Sequence, residues 1–288
     1  MIEEIVLAEG FSPASMEARV DEAKSSDQVS QLMEEVDRMD RLFAVDSSKL
    51  PIVETITYSS RVPWLKGRSA WITDYASYFH TSRHFIARSL NRAVDYITQD
   101  VKPGDRFNVF RNEKEIEFHL VIDLSSMKLK FYYYDVEENE RVFLKSYRIG
   151  LGRVDPLRAS GFLTPIGIYK LGSKVAVYRP GVMGYFKNQK IEMIRVFGTR
   201  WIPFGEEVQN CSESFRGYGL HGSPWEVDNK GTIIEDRSHI GKYDSDGCIR
   251  LNSEDIEEIF SIVITKSAYV HIVKDFSEAK IPGIEKEI

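Results

Sequence analysis

The chain has 288 residues, of which 42% are hydrophobic and 28% are charged, a balance typical of a globular protein with one large domain or two smaller ones. Its formal net charge of -6, without a long Lys/Arg block, argues against nucleic acid as a partner. The sequence has no apolar run of about 18 residues that would span a membrane, and its two cysteines are too few for a disulfide framework.

Residues 1–100 are predicted to form a mostly helical N-terminal region. Ser12-Pro13 has the pattern of a helix N-cap followed by proline in the first turn, and apolar residues then recur at helical spacing. The segment from Leu50 to Gly67 contains two prolines and is predicted to be a connection. A second helical segment is expected between Trp71 and Tyr96.

From about residue 106 the pattern changes to runs of β-branched and aromatic residues separated by polar turns. The runs predicted as strands are Phe118–Leu124, Lys128–Tyr134 and Val142–Ile149. Near the C-terminal end, Asn252 begins a predicted helix whose buried face is Ile256, Ile259, Phe260 and Val263. Ala268–Val273 is then expected to be a closing strand, so the chain is predicted to have an α+β fold.

One cysteine directly follows a glycine, in Gly247-Cys248. Because glycine has no Cβ, backbone can approach a ligand closely beside the thiol. His221 lies upstream in a Gly/Pro-rich loop, and a Cys and a His remote in sequence are the minimum for a thiolate nucleophile and its base. These residues lack the paired short spacings of a zinc site, so no metal or other cofactor is predicted.

Three motifs occur in the order Thr164-Pro165-Ile166-Gly167-Ile168-Tyr169, His221-Gly222, and Ser245-Asp246-Gly247-Cys248-Ile249-Arg250. Together they resemble the catalytic domain of L,D-transpeptidases, the YkuD-type fold, over roughly residues 106–275. The resemblance implies a β-sandwich-like cradle, and we assign residues 101–288 to an L,D-transpeptidase-like catalytic domain. It also implies that the partner is a peptidoglycan stem tetrapeptide, cleaved between the diamino acid at its third position and the terminal D-Ala.

The resemblance also implies roles for individual residues. Cys248 would attack the amide carbonyl while His221 accepts the thiol proton, and the N–H groups of Gly247 and Cys248 would face the developing oxyanion. Arg250 would either hold a substrate carboxylate or brace the loop against an acidic neighbour. Ser245 and Asp246 are expected in the nucleophile loop, and Gly222, Trp225 and Tyr243 are expected to contact substrate. For Trp225 and Tyr243 the alternative is that the ring only packs within the fold.

The chain departs from the family pattern in two ways. The family usually has His at the position of Asp246, and a carboxylate there is expected to raise the thiol pKa and slow turnover. The interval from His221 to Cys248 is longer than in compact members, so we expect residues 228–242 to form a flap over the cleft. His239 lies in that flap and either replaces the missing imidazole or is an exposed loop histidine.

Three functions are compatible with these motifs. The thioester would be resolved by an amine, including a wall-linked acceptor, in an L,D-transpeptidase, or by water in an L,D-carboxypeptidase. The third is a peptidoglycan-binding protein in which Asp246 has abolished catalytic activity. A peptidoglycan substrate places the protein in the periplasm or cell envelope, although no signal peptide is visible in the sequence.

Overall fold

The computed structural model describes residues 36–93 and 95–288, and residues 37–288 form one compact unit. The helices of the described part are α1 (Met39–Phe43), α2 (Ile72–Tyr78), α3 (Arg83–Asn91), α4 (Ile194–Phe197) and α5 (Ser253–Val263). The strands of the first half are β1 (Val53–Thr57), β2 (Arg106–Phe110), β3 (Ile116–Asp123), β4 (Lys128–Asp135), β5 (Glu140–Arg148) and β6 (Leu151–Gly152). The next are β7 (Gly167–Leu171), β8 (Ala176–Val177), β9 (Met183–Phe186), β10 (Gln189–Glu192), β11 (Arg200–Gln209) and β12 (Gly219–Gly222). The last are β13 (Trp225–Val227), β14 (Ile233–Glu235), β15 (Tyr243–Ser245), β16 (Ile249–Leu251), β17 (Ser267–Val273) and β18 (Ile284–Glu285).

A curled sheet of ten strands organises the fold. Nine of its strands follow the order β16-β12-β11-β7-β17-β3-β4-β5-β18, and β8 pairs with β11. The β12–β16, β3–β17 and β5–β18 pairs are parallel, and the other pairs of the sheet are antiparallel. No helix in the described ranges is long and apolar enough to cross a bilayer.

The three strands predicted from β-branched and aromatic runs are confirmed as β3, β4 and β5. The predicted C-terminal helix is confirmed as α5, and its four predicted apolar positions are all buried. This helix packs against β11 and β12 at one end of the sheet. An amphipathic helix therefore supports the strand that carries His221.

The mostly helical N-terminal region is not confirmed. Between residues 36 and 100 the structure has three short helices and one strand, and Ser12-Pro13 lies outside the described residues. The segment Leu50–Gly67, predicted as a connection, contains β1, which pairs antiparallel with β2 from Val53↔Phe110 to Thr57↔Arg106. A partner strand some 50 residues downstream stabilises β1. The prediction was wrong here because prolines and glycines indicate local turns and carry no information about a remote partner strand. The boundary between residues 100 and 101 stays a prediction.

Two buried polar networks join this early part of the chain to the rest. Glu258 of α5 accepts from Arg88 of α3 at 3.1 Å and from Lys145 Nζ and the Tyr147 hydroxyl of β5 at 2.9 Å each. Asn108 of β2 is fully buried, and its side-chain amide donates to the carbonyls of residues 42 and 44 at 2.8 and 2.7 Å. Buried polar groups with several partners fix one arrangement of the elements that carry them.

Candidate active site

Two parallel strands bring the predicted nucleophile and base together. In the β12–β16 pair, Leu220 lies opposite Ile249 and His221 lies opposite Arg250. Cys248 directly precedes β16, and side chains two residues apart in a strand point to the same face. Cys248, His221 and Arg250 accordingly line one cleft of about 560 Å³. The other residues that line it are Phe186, Lys187, Ile191, Arg195, Val196, Phe197, Trp201, Gly217, Pro224, Ser245 and Asp246.

The His221 ring is held in an orientation suited to a base. It is 4% exposed, and its Nδ1 lies 2.7 Å from the carbonyl oxygen of Gly222. Because a carbonyl only accepts hydrogen bonds, Nδ1 carries the proton and Nε2 is the acceptor nitrogen of the neutral ring. Burial lowers the pKa of His221 to about 4, so the ring is neutral near pH 7.

Cys248 rests as a protonated thiol. It is a half-buried free cysteine whose Sγ lies 3.5 Å from the carbonyl oxygen of Gly217. Burial raises the pKa of the thiol from 9.0 to about 11, while the Gly219 backbone and Arg250 oppose this rise and Asp246 adds to it. Desolvation is therefore the main reason why the resting thiol is neutral, and the Asp246 carboxylate is a minor one. To act as a nucleophile, such a thiol must lose this proton.

Position 247 requires glycine for both a conformational and a steric reason. Gly247 has φ of +118°, and a Cβ at this position would lie 2.6 Å from Cε1 of Tyr218 and 2.7 Å from the carbonyl oxygen of Leu163. Its N–H donates to Oγ of Ser245 at 3.0 Å, and that hydroxyl donates to the carbonyl of Cys248 at 2.7 Å. The Gly247 N–H thus braces the loop, whereas the sequence predicted that it would face an oxyanion.

The upstream threonine motif supports the same loop. Thr164 is fully buried, and its hydroxyl accepts from the N–H of Gly152 at 2.7 Å. Gly152 of β6 in turn pairs with Ser245 of β15. A Cβ on Gly152 would lie 2.9 Å from the Cα of Gly247, so the two backbones meet in close contact. Thr164 therefore fixes the nucleophile loop from behind.

Arg250 braces the loop, which is one of the two roles predicted for it. Its Nη1 lies 2.6 Å from Oδ1 of Asp244 and 3.1 Å from Nδ1 of His239. The same His239 nitrogen lies 2.6 Å from Asp244, and its Nε2 lies 3.2 Å from Asp236. His239 does not line the cleft, so the structure places it as a partner of Arg250 and two carboxylates. Its proposed role as a substitute imidazole finds no geometric support.

Asp246 lies at the cleft with two cations around it. It contacts Arg153 at 2.6 Å and Lys187 at 2.9 Å, with the side chains more than half exposed. The hydrogen bond from Lys187 is the largest cause of a lowered pKa at Asp246. Asp246 therefore ties the nucleophile loop to the turn between β9 and β10.

Three residues predicted to contact substrate do not line the cleft. The Tyr243 hydroxyl donates to the carbonyl of Leu124 at 2.5 Å, and the Trp225 indole donates to Ser253 at 3.4 Å. Gly222 is buried on β12, where a Cβ would lie 3.2 Å from the Cα of Gly198. Trp225 and Tyr243 thus direct their polar atoms to residues outside the cleft, and Gly222 allows β12 to approach the backbone at Gly198.

The flap comes from another part of the chain than expected. Residues 228–242, predicted to cover the cleft, form β14 and a 3-10 turn that do not line it. The covering segment is instead the β9–β10 hairpin with α4, including Phe186, Lys187, Arg195 and Phe197. Phe197 places its ring perpendicular to His221 at 5.4 Å between centroids. The sequence signal that could have predicted this hairpin is the polar pair Lys187-Asn188 between two short runs in which apolar and other residues alternate.

No group of three or more His, Cys, Asp or Glu side chains within residues 36–93 and 95–288 is arranged to hold a metal ion. The fold and the site together define a strand-rich domain with a cysteine and a histidine in one cleft. A family model described as the L,D-transpeptidase catalytic domain, YkuD, matches residues 117–272, more than half of the chain. The chain belongs to this family, whose members are generally cysteine-dependent enzymes that modify peptidoglycan.

Solved structures similar to this chain include those of two bacterial proteins. The helical cell shape determining protein Pgp2 from Campylobacter jejuni is 18% identical, with 59% of this chain and 51% of that chain covered and a TM-score of 0.37. Bd1075 from Bdellovibrio bacteriovorus is 14% identical, with coverages of 55% and 48% and a TM-score of 0.36. The chain spans about half the length of these structures. No curated protein sequence gives a match.

Proposed function

We propose that the chain is a peptidoglycan L,D-transpeptidase with Cys248 as nucleophile and His221 as base. The observation that supports this most directly is the common cleft, in which the thiol and a buried neutral imidazole with Nε2 as acceptor occur together. The proposed donor is a stem tetrapeptide. The site is proposed to act in the periplasm or cell envelope, where peptidoglycan is found.

In the first half-reaction, Cys248 Sγ attacks the carbonyl carbon of the third residue as its proton moves to His221 Nε2. The carbonyl oxygen becomes an oxyanion beside the Cys248 N–H. The C–N bond then breaks, the thioester remains, and D-Ala leaves with the proton from His221. A pKa of about 11 at the thiol requires this proton transfer to accompany attack, because the free thiolate is scarce.

In the second half-reaction, an acceptor amine attacks the thioester carbonyl and gives a proton to His221. The C–S bond breaks, a new amide forms, and the thiol regains its proton. A wall-linked amine would complete a cross-link, whereas water at the same position would give an L,D-carboxypeptidase. Both outcomes use the same acyl-enzyme, so a product analysis separates them.

The test is mass spectrometry of products from disaccharide-tetrapeptide muropeptides, with Cys248→Ala as the control. Cross-linked dimers or amine adducts that depend on Cys248 are expected. Release of D-Ala with a free tripeptide product alone would identify a carboxypeptidase. If neither turnover nor a thioester adduct appears with varied acceptors and pH, the chain is a peptidoglycan-binding protein and the proposal is wrong.

A further inference from the structure

The cleft contains one cation that no carboxylate in the described part of the chain neutralises. Arg250 is paired with Asp244, and Lys187 is paired with Asp246. Arg195 lines the same cleft, and no carboxylate of the described residues forms an ion pair with its guanidinium. Arg250 therefore does not have its charge free to bind a substrate carboxylate, as the sequence analysis considered, whereas the charge of Arg195 is free to do so.

Arg195 is carried by a segment that is anchored to the base. It belongs to α4, and Phe197 at the end of this helix contacts His221 through the ring edge at 5.4 Å and packs on Trp201 at 4.8 Å. Phe186 of the hairpin packs on the same Phe197 ring at 5.6 Å. These aromatic contacts hold the backbone of Arg195 at the wall of the cleft, while its side chain remains exposed.

The surroundings of Arg195 favour a carboxylate ligand. The neighbouring cleft residues Ile191, Val196 and Phe197 are apolar, so a bound ligand would displace water around the guanidinium and strengthen the ion pair. Guanidinium and carboxylate groups pair through two parallel hydrogen bonds. In an acyl donor, the carboxylate of the departing residue is separated from the scissile nitrogen by a single Cα, so the two groups must occupy one cleft.

We propose that Arg195 binds the terminal carboxylate of the departing D-amino acid and thereby selects donors that end at that residue. This inference rests on the proposed acyl-transfer function. It makes Arg195 a specificity residue at the leaving-group side of Cys248. A donor extended by a further residue, or capped at its terminal carboxylate, loses this contact.

A chemical double-mutant cycle tests the contact. Wild type and Arg195→Gln are compared on a disaccharide-tetrapeptide whose D-Ala carboxylate is either free or amidated, and kcat/KM is measured from the released D-Ala or D-alaninamide. Amidation should lower kcat/KM of the wild type by about 10-fold or more, the effect of losing a hydrogen-bonded charge pair. The Arg195→Gln substitution should lower kcat/KM for the free acid by the same factor. It should leave kcat/KM for the amide close to the wild-type value.

The matched control is Arg179→Gln, an exposed arginine of the preceding segment that does not line this cleft. It should leave both substrates unaffected. Equal losses by Arg195→Gln on acid and amide, or no loss on the acid, would overturn the assignment.

Binding separates this inference from the proposed function. In a Cys248→Ala background, calorimetry should show that the free acid binds about 10-fold more weakly after Arg195→Gln, while binding of the amide is unchanged. Failure of the wild type to release D-Ala, with this binding difference intact, would refute acyl transfer alone. Indistinguishable binding of acid and amide by the parent would refute the role of Arg195.

Discussion

Raising the pH should speed alkylation of Cys248 steeply from neutral pH upward. Burial penalises the charged thiolate and raises the thiol pKa from 9.0 to about 11. At pH 7 the thiolate fraction is then about 10⁻⁴, roughly a hundredfold less than for a thiol with a pKa of 9. Because the thiolate is the reactive form, the rate should rise about tenfold per pH unit up to about pH 10.

The assay uses Cys211→Ser, which leaves Cys248 as the sole thiol of the sequence. Iodoacetamide incorporation is followed by intact-mass spectrometry from pH 6 to 10.5, with a short unstructured cysteine peptide in the same tube as a reference. Circular dichroism at each pH shows over what range the fold is retained. The protein should react far more slowly than the peptide at pH 7.

A midpoint at or below pH 8 would refute this account of the resting site. Such a midpoint would mean that a cation stabilises the thiolate more than burial destabilises it, and Cys248 and His221 would then form an ion pair before substrate binds. A slow thiol in the free protein remains compatible with catalysis, because the proton can move to His221 during attack.

Other predictions concern stability and the loop. Gly247→Ala should lower the free energy of unfolding by roughly 2–4 kcal/mol and abolish turnover, because a Cβ would lie 2.6 Å from the ring of Tyr218 at a φ of +118°; a variant that melts like wild type would contradict this. Glu258→Gln should lower the free energy of unfolding by about 3 kcal/mol in urea denaturation, since it leaves the buried Arg88 guanidinium without its carboxylate; a change below about 1 kcal/mol would show that the network is dispensable. Asp246→Asn should change the free energy of unfolding by less than about 1 kcal/mol, because the ion pair of Asp246 with Lys187 is exposed. It should also speed alkylation of Cys248 at pH 9, because the carboxylate adds to the raised thiol pKa; slower alkylation would contradict this charge effect.

The strands and the C-terminal helix could be predicted because their signals are local. β3, β4 and β5 are rich in β-branched and aromatic residues, and α5 has apolar residues at helical spacing. The segment containing β1 has prolines and a glycine, and its strand forms only against β2. Pairing between remote segments adds stability that local composition does not reveal.

Within the site, the cleft shared by Cys248 and His221 could be anticipated from an uncommon residue pattern, while the catalytic roles of these residues stay predictions. A glycine precedes Cys248 and another follows His221, and the structure places the two side chains in one cleft. Arg195 could not be found this way, because its membership of the cleft depends on how a hairpin folds over a distant strand. Trp225 and Tyr243 were expected in the cleft through proximity in sequence, yet their polar atoms bond to residues outside it.

The buried amide of Asn108 limits how this catalytic domain can be inherited. A gene fragment encoding only residues 101–288, joined to a different upstream partner, would carry that amide without the carbonyls of residues 42 and 44 and without Thr55, which donates to it at 2.8 Å. Each such orphaned group destabilises a fold by about 1–3 kcal/mol. Recombination that preserves this fold must therefore break the gene upstream of α1, so that residues 39–57 travel with Cys248.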